Sequence, residues 1–291
     1  MSEQIDTVVR FHDPSRISEL KRCVFSLVGQ TYRPLRIVLV LQRFNGHQIE
    51  AVEQALGPLL EGRDAPQLAI VNLTDPEPAD ARSVLLNLGV QAAMGKYLAF
   101  LDYDDVLYPE AYEMMIGRLK DTGAAIAFAK VRVMRVDVYN EFFYTKERVI
   151  PPFSGSDLLD LFHNNFCPLH SYVIDRSQCP PGMLDFVTSL TMEEDYDVLL
   201  RICATFLSDF ALIETDIGDY YYKTDGSNTV PVSGGLTGEA RARFMREVKT
   251  AIETRRRGTI VTPVVQKSLG LRDPQQPRTI RQVLDRLPGR M

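Results

Sequence analysis

Residues 81–115 read ARSVLLNLGVQAAMGKYLAFLDYDDVLYPEAYEMM, and this stretch decides the fold. Val84, Leu85, Leu88 and Ala92 recur at helical spacing and predict a helix over 80–94, with Gly95 as its stop. KYLAFL (96–101) is then a short buried strand. Asp102, Asp104 and Asp105 follow where that strand ends, and the next helix starts near Pro109. Upstream the same alternation repeats. Residues 5–11 (IDTVVRF), 35–42 (LRIVLVLQ) and 69–73 (AIVNL) read as strands. Between them, Leu20, Cys23, Val24 and Leu27 mark a helix started by Asp13 or Ser15 and ending at Gly29, and a second helix covers about 47–60. Four strands alternating with helices predict an α/β fold, a Rossmann-like and mostly parallel sheet flanked by helices. Such sheets bind ligands at the carboxyl ends of their strands.

The acidic cluster stands at such an end. Three carboxylates in four residues repel one another, and burying them together is costly unless a cation lies between them. Hard oxygen donors suit Mg²⁺ or Mn²⁺, which could neutralise a diphosphate. The bland alternative is a solvated acidic turn leading into the next helix. A second function class reads D-x-D-x-V as the nucleophile motif of a haloacid-dehalogenase-like phosphatase, but three strands precede it here. Gly89 and Gly95-Lys96 do not fit P-loop spacing, no G-x-G-x-x-G follows a strand, and neither H-E-x-x-H nor G-x-S-x-G occurs.

Beyond residue 125 the pattern changes. Longer strands are expected over 125–149, a helix over 155–164, a strand over 170–175, a helix over 192–207 and strands over 209–222. Residues 226–238 read as a Gly- and Ser-rich loop, and a helix with a basic face runs over about 238–257. The last 30 residues read as an extended arm or a small helical appendage.

The chain has 291 residues, 45% hydrophobic and 24% charged, which excludes disordered and fibrous classes. No apolar run reaches the roughly 20 residues of a membrane span, and MSEQIDTVVRFHD lacks the pattern of a secretory signal. The expectation is a cytoplasmic protein, peripheral at the inner face of a membrane if attached at all. Cys23, Cys167, Cys179 and Cys203 form no C-x-x-C pair and are expected as free thiols. The net charge of −5 is uneven: residues 241–291 carry 13 Lys and Arg against 4 Asp and Glu, so the first 240 are strongly acidic. An acidic body argues against a nucleic-acid partner, and the basic tail suggests an anionic membrane surface near a lipid-linked acceptor.

The assembled motifs resemble glycosyltransferase family 2, inverting enzymes of GT-A fold. The resemblance rests on residues 81–115, on VVRFHDPSRISELKRCVFSLVGQTYRPLRIVLV (8–40), on TMEEDYDVLLR (191–201) and on YYYKTDGSNT (220–229). It covers about residues 5–230, and implies a GT-A domain over 1–230, with a donor half to about 125, an acceptor half from 126 and a basic C-terminal appendage over 231–291. It further implies sugar transfer from a nucleoside-diphosphate sugar to a hydroxyl of a saccharide or lipid-linked acceptor, in surface polysaccharide or lipopolysaccharide synthesis. Asp104 becomes the main metal ligand, Asp102 a metal or ribose ligand, and Asp105 their support. Arg82 faces the diphosphate, and Asp195 is the catalytic base. Glu194 joins Asp195 in the catalytic pair, or else closes a capping box with Thr191. Crowding with Glu193, Glu194 and Asp197 raises the Asp195 pKa while a helix N-terminus lowers it, and the sequence leaves that balance open.

Three departures from the family pattern add candidates. Strand two lacks its Asp-Asp-Gly-Ser ending, so Gln42 is the candidate for reading the base. The first strand ends in Arg10-Phe11-His12, which assigns Arg10 to the diphosphate and Phe11 to stacking on the base. Thr224 replaces a His of the closing segment, leaving Lys223 for the donor, or Asp225 for the metal. His170 is assigned to the acceptor pocket. These departures keep a noncatalytic nucleotide-binding protein as the alternative.

Overall fold

The computed structural model describes residues 3–139, 142–150, 154–190, 192–224 and 238–287. In chain order the elements are β1 (Ile5–Phe11), α1 (Ile17–Val28), β2 (Leu35–Gln42), α2 (Gly46–Leu56), β3 (Gln67–Leu73), α3 (Arg82–Ala92) and β4 (Tyr97–Asp102). Then follow β5 (Val106–Leu107), α4 (Ala111–Thr122), β6 (Ile126–Tyr139), β7 (Phe142–Val149), α5 (Leu158–His163), β8 (Tyr172–Asp175), α6 (Glu194–Thr205) and β9 (Ser208–Lys223). The C-terminal part holds α7 (Gly238–Gly258), β10 (Ile260–Val261), α8 (Pro263–Ser268), β11 (Arg278–Thr279) and α9 (Ile280–Arg286).

One sheet organises the described residues, in the order β3-β2-β1-β4-β8-β6-β9-β5, with β7 hydrogen-bonded to β6. β3, β2, β1 and β4 are mutually parallel, as the alternating pattern requires. The sheet is mixed beyond β4, where β8 runs antiparallel to both β4 and β6 while β6 and β9 are parallel. β1 and β2 are buried along almost their whole length because helices cover both faces, so their sequences are apolar runs and not alternations. α1 buries Leu20, Cys23, Val24 and Leu27 against one face. α3 packs on the other face so closely that a Cβ at Gly89 would stand 2.2 Å from a Val8 methyl.

The mapped elements agree with the sequence pattern within a few residues, and the deviations have local causes. Asp13 caps a short 3₁₀ turn over Pro14–Arg16, and α1 starts only after it. The helix expected over 47–60 ends at Leu56, continuing as a 3₁₀ turn through Gly57-Pro58. All four cysteines are free thiols. The C-terminal segment forms a short β10–β11 ladder and small helices. Its Ile252, Val261, Val265, Ile280, Val283 and Leu284 join the same core cluster as α5 and α6. Much of its basic surplus is used internally: Arg255 pairs with Asp197, Arg256 donates to the His163 carbonyl and Tyr196 hydroxyl, and Arg278 is buried. No described helix is long and apolar enough to cross a membrane. Asp225 and the loop over 226–237 lie outside the described residues.

Candidate functional site

The site forms where β1 and β4 end side by side. Their parallel register sets Arg10 beside Asp102. Arg10 Nε donates to Asp102 Oδ1 at 2.7 Å and its second Nη to Oδ2 at 3.3 Å, a forked pair. Its other Nη reaches Glu194 Oε1 at 3.1 Å, on the first residue of α6. One guanidinium thus ties the end of β4 to the start of α6. Burial opposes its charge, but Asp102 and Glu194 outweigh that and hold Arg10 above its ordinary pKa. Burial likewise pushes the Asp102 carboxyl up, and Arg10 reverses the sign and holds it below the usual carboxylate range.

Asp104 lies two residues on and has its own cation. Lys223 Nζ, at the end of β9, is 2.7 Å from Asp104 Oδ2 and 2.7 Å from Glu19 Oε2 of α1. Burial and the neighbouring Asp102 charge outweigh this lysine and raise the Asp104 pKa. Asp105 turns the other way. It is buried, accepts the Tyr221 backbone N–H at 2.8 Å, and faces His170 Nδ1 at 3.5 Å. Burial first, then repulsion from Asp104 and Asp102, lifts its carboxyl well above the ordinary range. Burial holds the His170 imidazole down at about 4, so it is neutral at pH 7.

The first turn of α6 supplies a second group of acids. Glu193 sits before the helix at φ 62° and its side chain makes no cap hydrogen bond. Asp195 Oδ1 accepts from the Tyr196 backbone N–H at 2.8 Å and from Asn165 Nδ2 at 3.4 Å. Asn165 also donates to Glu193 at 3.1 Å. Oδ2 of Asp195 has no hydrogen-bond partner among the described residues. Burial, then Glu194 and Glu193, push the Asp195 carboxyl up to about 8. Crowding therefore outweighs the helix N-terminus.

The remaining candidate side chains are held mostly by internal contacts. Phe11 is 0% exposed, packed edge-on against Tyr103 at 5.1 Å and against Phe44 at 5.4 Å, so it presents no ring face to a base. Arg10 is paired with two carboxylates, Asp102 and Glu194. Lys223, 1% exposed at its side chain, bridges Asp104 and Glu19. His170 is buried against Asp105 and Tyr220, not exposed in an acceptor pocket. Glu194 pairs with Arg10, and Thr191, the other half of the expected capping box, lies outside the described residues. Gln42 spends its amide on the Ala79 carbonyl, which helps hold the 74–81 segment. Arg82 opens α3 paired with Asp80 at 2.9 Å, close enough to Asp102 to lower its pKa.

The three carboxylates do not converge as one ligand set. Among the described residues no three His, Cys, Asp or Glu side chains are grouped to hold a metal ion. Asp102 and Asp104 nevertheless suit a hard cation: both are oxygen donors, both are partly exposed, and their mutual repulsion is what a divalent ion relieves. Asp105 does not fit, because its carboxyl is buried on Tyr221 and His170. Sequence reasoning missed Glu19 and Asn165. Glu19 had a signal, since it stands four residues before Cys23 on the apolar stripe of α1.

Comparison with known proteins bears on the same region. The model of the glycosyl transferase family 2 matches residues 77–177, which contain β4 and the acidic cluster. The succinoglycan biosynthesis protein ExoO of Rhizobium meliloti is 27% identical over 148 residues, 48% of this chain and 42% of that protein. The uncharacterized glycosyltransferase YibD of Escherichia coli is 26% identical over 98 residues, 34% of this chain and 26% of its own length. The chain therefore spans less than half of either relative. Among solved structures, Staphylococcus aureus TarS 1-349 in complex with UDP-GlcNAc superposes with TM-score 0.62 at 15% identity, covering 88% of this chain and 67% of that one. The mannosyltransferase PcManGT of Pyrobaculum calidifontis, in complex with GDP-Man and Mn²⁺, gives 0.53 at 13% identity, covering 84% and 61%. These likenesses establish the fold, a GT-A arrangement. They leave the phosphatase alternative without support, as does the position of Asp102 on the fourth strand, between β1 and β8.

Proposed function

We propose that the chain, whose residues 77–177 match the model of the glycosyl transferase family 2, is a member of that family and transfers a sugar from a nucleoside-diphosphate donor to a hydroxyl acceptor, with inversion and with a divalent metal ion, in the synthesis of a surface polysaccharide. The Arg10 bridge carries this reading. It joins Asp102, on the donor side, to the first turn of α6, so that the acidic strand end and Asp195 belong to one site. Neighbours of the same fold described with UDP-GlcNAc, or with GDP-Man and Mn²⁺, support the donor class and the metal.

Asp102 and Asp104 hold the metal, and Arg82 adds positive charge at the start of α3. When bound, the ion neutralises the diphosphate and stabilises it as a leaving group. Arg10 keeps Asp102 ionised and fixes its orientation. Asp195 is the general base. Its Oδ1 is anchored by Tyr196 and Asn165, so Oδ2 takes the proton of the acceptor hydroxyl as that oxygen attacks the anomeric carbon. Glu194 is a positioning residue, because its carboxylate is held by Arg10.

Incubation with UDP-, GDP-, dTDP- and CDP-sugars and Mn²⁺, reading nucleoside-diphosphate release, tests the proposal. Release from one donor class, lost in Asp104→Asn, is the expected result. No release from any donor, with or without added saccharide, would overturn it.

A further inference from the structure

The sheet registers gather aromatic side chains on one face of the acceptor half. Val133 lies opposite Tyr220, Arg135 opposite Tyr222, Asp137 opposite Tyr144 and Tyr139 opposite Phe142. Register partners share a side of the sheet, and alternate residues of a strand return to that side. Tyr220 and Tyr222 of β9, Tyr144 and Phe142 of β7 and Tyr139 of β6 therefore share one face of the sheet, in a row that flanks Arg135 and Asp137 of β6. From Val133 to Tyr139 the row extends about 20 Å at roughly 3.3 Å per residue.

One end of the row reaches the buried pair of His170 and Asp105, the residue after Asp104. The Tyr220 ring stacks on His170 at 6.3 Å and 12°, and His170 faces Asp105. The other end is open: Tyr139, Phe142 and Tyr144 are 50%, 63% and 61% exposed. Tyr139 and Phe142 stack on each other at 5.7 Å and 21°. The opposite face of the β6–β7 hairpin is filled, with Phe143 under the Arg22 guanidinium at 3.6 Å and edge-on to Tyr221 at 5.1 Å. The exposed aromatics are thus confined to one side, and a contiguous patch of this kind marks a binding surface.

We propose that this row is a subsite for the saccharide chain of the acceptor, a proposal that rests on the transferase reading of the adjoining site. Pyranose rings carry apolar C–H faces and hydroxyl edges. Tyrosine matches both, with a ring for the face and a phenol for the edge. The charges beside the row are already neutralised: Arg135 pairs with Glu147 at 2.7 Å, Lys146 with Asp137 at 2.8 Å and Arg148 with Asp216 at 3.2 Å. An anionic membrane surface requires unpaired cations, so the row selects an uncharged saccharide over a lipid surface.

The test is binding of labelled full-length protein to an array of bacterial surface saccharides, chitin oligomers and glucans. The triple substitution Tyr139→Ser, Phe142→Ser, Tyr144→Ser removes only exposed rings, and Phe142→Ala alone is the milder variant. The wild type is expected to bind a subset of the array, with signal falling at least tenfold in the triple variant and severalfold in the single one. The melting shift induced by nucleotide stays unchanged, because that shift reports the donor site. Absence of any bound saccharide, or equal binding by the variants, overturns the subsite. Flotation with phosphatidylglycerol vesicles that depends on the three rings, without saccharide binding, overturns it in favour of a membrane contact. Absence of the nucleotide shift with array binding intact overturns the transferase reading and leaves the saccharide surface standing.

Discussion

Replacing Asp195 by Asn should make the enzyme slower and, at alkaline pH, more stable. The Asp195 carboxyl titrates at about 8 in the folded protein because burial and the charges of Glu194 and Glu193 disfavour its ionised form. In the unfolded chain it titrates near the ordinary 3.8. Between those values the folded state holds a proton that the unfolded state has released. Stability contributed by this group therefore falls as pH rises through that window, and the contribution is complete only below it. At roughly 1.4 kcal/mol per pH unit the full displacement is on the order of 5 kcal/mol. Partial exposure and relaxation of the neighbouring charges reduce the expected effect to about 1–2 kcal/mol. Asn is uncharged at every pH and nearly the same shape, so Asp195→Asn escapes this cost. Melting of wild type and variant at pH 5.5 and pH 8.5 reads it directly, since all other titrations cancel in the difference. The variant should already melt slightly higher at pH 5.5, where only the lower part of the window has been crossed, and about 2–5 °C higher at pH 8.5. Transfer should fall by about 10²–10⁴, and wild-type activity should rise with pH toward a plateau above 8. An equal difference at both pH values would refute the raised pKa, and full transfer in the variant would refute the base.

Other consequences follow from the same geometry. Arg10→Met strands Asp102 and Glu194 without their shared cation and should cost about 3–5 kcal/mol in urea unfolding. Arg10→Lys, which cannot fork, should recover only part of that. Lys223→Met leaves Glu19 and Asp104 facing each other, and the loss should shrink below pH 5, where carboxyls protonate; a loss independent of pH would count against the ion-pair reading. Gly89→Ala drives a methyl into Val8 and should cost about 1–3 kcal/mol, recovered in part by Val8→Ala.

The parallel half of the sheet was legible because residues 5–11, 35–42 and 96–101 are apolar runs too short for helices and separated by helical periodicity. The mixed half was legible only as strand content, because β8 inserts between β4 and β6 through contacts remote in sequence. The acidic cluster was found by its place at a strand end, but the direction of each carboxylate was not. Strand alternation places Arg10 and Phe11 on opposite sides; the arginine meets Asp102 and the phenylalanine enters the core. Lys223 reads as exposed by type, and its partners Glu19 and Asp104 lie over 100 residues away in sequence. Only the β6–β9 pairing brings it inward. Glu194 satisfied a capping pattern on paper, yet a cation from β1 claimed it.

The most direct measurement is a thermal-shift comparison of UDP, GDP, dTDP and CDP, each with Mn²⁺ and with EDTA, on the wild type and on Asp104→Asn. A nucleotide at 100 times its dissociation constant adds about 2.7 kcal/mol to stability, a shift of several degrees. One nucleotide class should raise the melting temperature of the wild type only when Mn²⁺ is present, and should leave Asp104→Asn unmoved. No shift with any nucleotide, or the same shift in EDTA and in the variant, would contradict a metal-assisted donor site at the end of β4.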